Sequence, residues 1–238
     1  MVNFRIKIAD TVIEINAFYL STERYCKDFL TSEEPKYIVS LTQEDLEKER
    51  TFNGKGDVYV NEEISATYRK IADLLIEKDI LVFHGSSFMV DDKGYIVTAR
   101  SGTGKSTHVG LLKELLGDKL TYINDDKPLI DVRNGCIIYS SPWNGKERRG
   151  NNISSPLSSV IFLNRGIKNT YKKVIDKSEI YIQLLSQVYL PLEKTKREKA
   201  LKNIDIIRDK INFYIINVNT DISSAEMSYE RIIKDETE

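Results

Sequence analysis

Residues 95–107 read YIVTARSGTGKST, and this stretch decides the fold. The apolar run Tyr95 to Val97 leads into a glycine-bearing loop. The loop opens onto Val109, Leu112 and Leu116, flanked by Leu111 and Leu115, which make one helical face that stops at Gly117. Strand, glycine loop, helix is the resulting order. Ser101, Gly102, Thr103, Gly104, Lys105, Ser106 and Thr107 fit the Walker A pattern, except that Ala99 stands where the first glycine usually sits. A polyphosphate must be met by many donors with no bulky side chain in the way. Gly102 and Gly104 would let consecutive backbone N–H groups converge on its oxygens. Lys105 would bring a point charge to the β and γ phosphates, Ser106 a hydroxyl to Mg²⁺, and Thr107 a further polar contact, with the helix N-terminus adding partial positive charge. A glycine-rich turn that only caps a helix is the alternative.

Working outward, ILVFHG (80–85), SFMV (87–90) and YIVTA read as strands, with VDDKGY supplying Asp and Gly for a hairpin turn. Downstream, LTYI is a strand ending in Asn124, Asp125 and Asp126. One of these carboxylates would hold Mg²⁺ while the other accepts a proton from an attacking hydroxyl, and the residues leave open which does which. The alternative is an Asp-Asp turn before the strand PLIDV (128–132). His84 closes a strand just before a glycine, where the hairpin can bring it beside the loop, and is favoured for function over His108 in the loop's helix. PLIDV, RNG and CIIYS form another hairpin. SPWNGKERRGNN (141–152) follows, with Lys146, Arg148 and Arg149 as a possible phosphate clamp and Trp143 as an anchor for the loop. Then come the strand LSSVIFL, helices over about 177–190 and 193–209, the strand INFYIINV and a helix over about 223–234.

Ahead of all this lies a smaller unit. Phe4, Ile6 and Ile8 alternate as on a strand, and Val12, Ile13 and Ile15 follow after a break. The acids of residues 33–50 read as a solvated surface. Asn61, then Glu62 and Glu63, would open a helix carrying Ile64, Tyr68, Ile71 and Leu75 to about Lys78. Glycine usage marks the division: only Gly54 and Gly56 precede residue 80. Residues 1–78 are thus expected to form a small α+β region and residues 79–238 a nucleotide-binding domain.

The 238-residue chain balances 35 Lys and Arg against 36 Asp and Glu, for a formal charge of -1. No overall field draws it to nucleic acid or an anionic membrane, so an anionic ligand must be held locally. Its apolar runs are far shorter than the roughly 18 residues a membrane span needs. The opening MVNFRIKIAD lacks an apolar signal core, so the cytoplasm is the expected compartment, with Cys26 and Cys136 as ordinary buried thiols.

Taken together, FHG, ARSGTGKST, INDD, SPWNGK and LSSVIFLNRG resemble the HPr kinase and phosphoenolpyruvate carboxykinase superfamily, most closely its short HPr kinase-related bacterial members, over roughly residues 80–220. The resemblance implies an α/β fold with a mixed sheet around a P-loop. It implies an ATP-dependent, Mg²⁺-assisted kinase acting on a hydroxyl, a serine of a protein, a peptide or a small molecule. By resemblance, His84 would approach the transferred phosphate, Lys105 and Ser106 would bind nucleotide and Mg²⁺, Asp125 and Asp126 would share metal binding and general-base work, and Lys146 would contact phosphate or acceptor. The glycine-rich signature with which HPr kinases grip their carrier protein has no counterpart, which points away from HPr as target. A carboxykinase-like enzyme and a non-catalytic nucleotide-binding module are the alternatives. ATP, ADP, GTP and pyrophosphate all stay open as donors.

Overall fold

The computed structural model describes residues 1–53 and 60–234. The chain begins with β1 (Val2–Ile8), β2 (Thr11–Ala17), α1 (Leu20–Tyr25), β3 (Tyr37–Ser40), α2 (Gln43–Asn53) and α3 (Val60–Ile76). β1 and β2 pair antiparallel, with Phe4 opposite Ile15 and Ile6 opposite Ile13, and β3 joins β2 in parallel. The two-residue strand period turns Phe4, Ile6, Ile8, Ile13 and Ile15 inward. Together with Leu46, Ile71 and Leu75 they form a core that also takes in Ile80, Val82, Leu129 and Trp143 from further along the chain.

Two expectations for this region are corrected. The acid-rich run is not all solvated: it supplies β3 and α2, and Glu49 is buried in an ion pair with Arg69 of α3. Asp45 bonds the Thr42 amide at 2.8 Å and Lys70 at 2.6 Å. The acids are drawn in because α3 presents cations opposite them. Asn61 lies inside α3 rather than capping it, and Glu62 and Glu63 are buried. Glu63 accepts from the Phe18 and Tyr19 amides at 2.8 and 3.3 Å, filling the need of donors at the start of α1 that have no partner within the helix. Gly54 and Gly56 lie outside the described residues.

From residue 80 the elements are β4 (Ile80–Val82), β5 (Ser86–Val90), β6 (Lys93–Thr98), α4 (Lys105–Leu116), β7 (Leu120–Asn124), β8 (Leu129–Asp131), β9 (Ile137–Tyr139), β10 (Ser154–Arg165), β11 (Thr170–Lys173), α5 (Lys177–Leu185), α6 (Lys194–Lys210), β12 (Asn212–Val218) and α7 (Ile222–Ser228), the last continued by a π-helical turn over Tyr229–Ile233. Strand order runs β4-β8-β9-β10-β6-β5-β7, with β12 beside β10 and β11 beside β12. β10 runs parallel to both β6 and β12, whereas β5 is antiparallel to β6 and to β7. The fold is therefore mixed α/β around a mixed sheet, as expected. The β5–β6 turn is made by Asp91 and Asp92, both with positive φ. Gly94 lies instead within β6, where a Cβ would meet Ile138 Cδ1 at 2.7 Å and the Pro156 carbonyl at 2.9 Å.

Helices cover both faces of this sheet. Ile180, Leu184, Ile204 and Ile207 of α5 and α6 pack with Phe162 and Phe213 on one side. Val109 and Leu112 of α4 and Ala225 of α7 pack with Phe88, Tyr95 and Ile161 on the other. α5 is shorter than expected because the chain after it pairs with the end of β4: the His84 amide donates to the Gln187 carbonyl at 2.7 Å and the Tyr189 amide to that of Val82 at 3.0 Å. Among the described residues no helix is long and apolar enough to cross a membrane.

The strand directions fix where chemistry can occur. β6, β7 and β10 end at the same edge of the sheet, and β5 begins there. Parallel strands with helices on both faces leave a crevice at their carboxyl ends.

Candidate active site

Four chain segments meet at that edge: residue 84 before β5, the loop after β6, the Asp pair after β7 and Arg165 at the end of β10. They enclose a cavity of about 530 Å³. Gly102, Gly104, Lys105, Ser106 and Thr107 line it, as does Ser101. Asp125, Asp126, His84 and Lys146 face the same space, joined by Asn144, Gly145 and Arg165. Thr103 does not line this cavity: its hydroxyl turns back onto the Arg100 carbonyl at 2.8 Å.

The loop's shape follows from its glycines. Gly102 and Gly104 have φ of 76° and 118°, a region that L side chains rarely adopt, and Gly104 is the residue from which α4 starts. Arg165 braces the loop, donating to the Gly102 carbonyl at 2.7 Å and the Thr103 carbonyl at 3.0 Å. Lys105 is buried, and its ammonium lies over the loop's own Ala99 carbonyl at 3.1 Å. Burial lowers its pKa, Asp126 opposes that shift, and Lys127 adds to it.

The acids are set by a buried amide. The Asn124 side-chain oxygen accepts from the Asp126 amide at 2.9 Å and the Lys127 amide at 2.7 Å, while its nitrogen donates to the Ser141 carbonyl at 3.0 Å. The turn carrying both carboxylates is thereby bonded to the loop that carries Lys146. Asp125 is 6% exposed, accepts from the Gly145 amide, and has no ion pair among the described residues. A buried carboxylate without a cation is costly. Asp126 lies 3.0 Å from the Lys127 ammonium and 3.6 Å from His84 Nε2. Burial, reinforced by Lys127 and Lys105 and opposed by Asp126, pushes the His84 pKa down to about 4, so the ring is neutral at pH 7.

Mg²⁺ is commonly held by one or two carboxylates together with substrate phosphates. Ser106, Asp125 and Asp126, which line the same cavity, supply the types of donor such a site needs. Among the described residues there is no cluster of three or more His, Cys, Asp or Glu side chains arranged to hold a metal without such help.

The clamp expected of three cations is reduced to Lys146. Arg148 stacks on the Tyr25 ring at 4.6 Å and donates to the Tyr25 carbonyl at 2.8 Å, and Arg149 pairs with Glu147. Trp143 is buried with its ring edge-on to Tyr68, 5.3 Å between centroids, so the loop is anchored as expected. His108 is buried between Ser228 (3.0 Å) and Ser224 (3.4 Å), away from the cavity. From the sequence Asn124 is only a strand end and Gly145 only a turn residue, and Asn144 and Arg165 carry no role. INDD, PWNGK and LNRG contain them, but only pairing between distant segments gives them roles.

No family profile matches the chain, and no curated protein matches it in sequence. Among solved structures it is similar to the Hpr(Ser) kinase/phosphatase from Coxiella burnetii, at 10% identity over 65% of this chain and 92% of that one, with a TM-score of 0.37. At that level the likeness adds nothing to the geometry above.

Proposed function

We propose that this protein transfers the γ-phosphoryl group of ATP, with Mg²⁺, to a hydroxyl acceptor, using the fold of the HPr kinase-like P-loop proteins its motifs resemble. The observation that carries the reading is one cavity in which a glycine loop with two left-handed residues and a buried lysine faces a buried, cation-free carboxylate. Ser101 to Thr107 cradle the phosphates and Lys105 leaves the Ala99 carbonyl for them. Lys146 meets phosphate from the facing loop. Ser106, Asp125 and Asp126 would hold Mg²⁺, which supplies charge neutralisation on the phosphate oxygens. Asp125, fixed by the Gly145 amide, suits the cation. Asp126 beside neutral His84 suits the proton of the attacking hydroxyl. Catalysis is then mostly positioning, as a loose phosphoryl transition state requires. Residues 79–238 form the phosphate-handling domain and residues 1–78 a smaller unit that braces its loop.

The test is incubation with γ-labelled ATP and Mg²⁺ over a panel of hydroxyl acceptors, alongside calorimetric ATP binding. Lys105→Ala abolishes binding. Asp125→Asn and Asp126→Asn cripple transfer while ATP affinity is kept. Unchanged turnover in both Asp variants would remove them from the mechanism, and binding without turnover would leave a nucleotide-sensing module.

A further inference from the structure

A second cavity, of about 590 Å³, adjoins the first and shares His84 and Ser101 with it. It lies between the ends of β6 and β10 and the last turn of α5. Its volume is in the range of small-molecule sites, roughly 300–1,000 Å³. Which end of a bound triphosphate it would meet follows from the loop. Lys105, at the start of α4, reaches the β and γ phosphates. His84 lines the first cavity together with Lys105 and Asp126, its Nε2 3.6 Å from the Asp126 carboxylate. His84 therefore marks the γ end, and the second cavity opens on that end.

Its lining has a definite chemistry. Thr98, Gln183, Ser186 and Gln187 offer uncharged hydrogen-bonding groups, and Gln187 is held in place by Thr98 Oγ1 at 2.8 Å and Ser186 Oγ at 2.8 Å. Among the described residues no acidic side chain lines the cavity, and Arg100 is its one charged residue. The Arg100 guanidinium has no ion pair or hydrogen bond among the described residues. A planar fork of donors at the rim of a neutral polar cavity fits a carboxylate.

We infer that this second cavity is the acceptor subsite and takes a small hydroxy acid, with the carboxylate on Arg100 and the hydroxyl at His84; this rests on the phosphotransfer reading above. The acceptor oxygen forms a bond to Pγ while the bond from Pγ to the β–γ bridging oxygen breaks. ADP leaves with that electron pair, and the hydroxyl proton passes to the Asp126–His84 pair.

The experiment uses the full chain, γ-labelled ATP with Mg²⁺, and matched acceptors: glycerate and free serine, which carry a carboxylate, against glycerol and N-acetylserinamide, which do not. Label is expected on glycerate or serine and not on the uncharged pair. Arg100→Gln should lower kcat/KM for the labelled acid at least tenfold, mainly through KM, with ATP affinity within twofold of the parent and partial recovery in Arg100→Lys. Gln183→Trp, which fills the cavity from the surface of α5, should block transfer and spare ATP binding. Equal labelling of acids and uncharged acceptors overturns the inference. So does an Arg100→Gln loss that is the same for every acceptor, which would put Arg100 on the γ-phosphate, or bound ATP with no transfer to any of the four. Failure of the parent chain to bind MgATP would instead remove the phosphotransfer reading itself, and this inference with it.

Discussion

Gly145 lies flat against the carboxylate of Asp125. A Cβ at position 145 would stand 2.8 Å from Oδ1 and 2.9 Å from Cγ and Oδ2. The contact sits where the anchored loop meets the acid turn, so it sets the position of the carboxylate directly. Gly145→Ala is expected to displace Asp125 by a fraction of an ångström to an ångström. Misplacement of that size can lower turnover on the order of 10²-fold. Steady-state phosphoryl transfer and ATP calorimetry on the same variant check this, with the loss expected in kcat and little change in nucleotide affinity.

Arg165 lines the cavity and holds two loop carbonyls. Replacing it with Gln removes two charge-assisted hydrogen bonds, each worth about 1.5–3 kcal/mol at most. The residue is exposed, so global stability should change little. We expect ATP to bind about tenfold more weakly, equivalent to about 1.4 kcal/mol. Unaltered binding would mean the loop keeps its shape on its glycines alone.

The pH dependence of stability should follow His108. Burial lowers its pKa from the ordinary 6.5 to about 4, and among the described residues its ring nitrogens meet the hydroxyls of Ser224 and Ser228. Between those values the unfolded chain binds a proton that the folded chain does not. The stability is fully present above pH 6.5 and is lost as pH falls toward 4. At about 1.4 kcal/mol per pKa unit, the window is worth on the order of 3 kcal/mol. His84 shifts in the same direction but is more exposed and adds less. Urea unfolding at pH 7.5, 6.5, 5.5 and 4.5 should show a flat upper range and a decline below it, shallower in His108→Gln. An equally steep decline in that variant would exclude His108 as its source.

Trp143 is the only tryptophan and packs edge-on against Tyr68 two residues from Gly145. Trp143→Ala should destabilise the protein by about 3–5 kcal/mol. Trp143→Phe, which keeps an aromatic ring for Tyr68, should lose less than half of that and retain transfer. Denaturant titrations of the two variants give the comparison directly.

The strand–loop–helix unit, the hairpins and the Asp pair were legible because each is written locally, in periodicity, turn residues and a spaced glycine pair. Other features depend on partners far away in the chain. β3 and α2 come from a stretch whose acids find Arg69 and Lys70 on α3. α5 ends early because residues 187–189 pair with the end of β4. Arg165 becomes a brace only when β10 lies beside β6. His84 was favoured from its place at a strand end, and the antiparallel β5 brings it to the Asp126 turn. Arg148 and Arg149 looked equivalent to Lys146 in sequence, and only the Tyr25 ring and Glu147 separate them.

The anchoring of the Lys146 loop limits how far the chain can be trimmed. Tyr68 seats Trp143, Tyr25 seats Arg148, and Asn152 donates to the Asp28 carbonyl at 3.2 Å. A truncation that discarded residues 1–78 would leave Ile80, Val82 and Leu129 without their cover and cut this loop adrift. The two regions are one machine with a shared chassis, and the smaller cannot be unbolted without throwing the larger out of alignment.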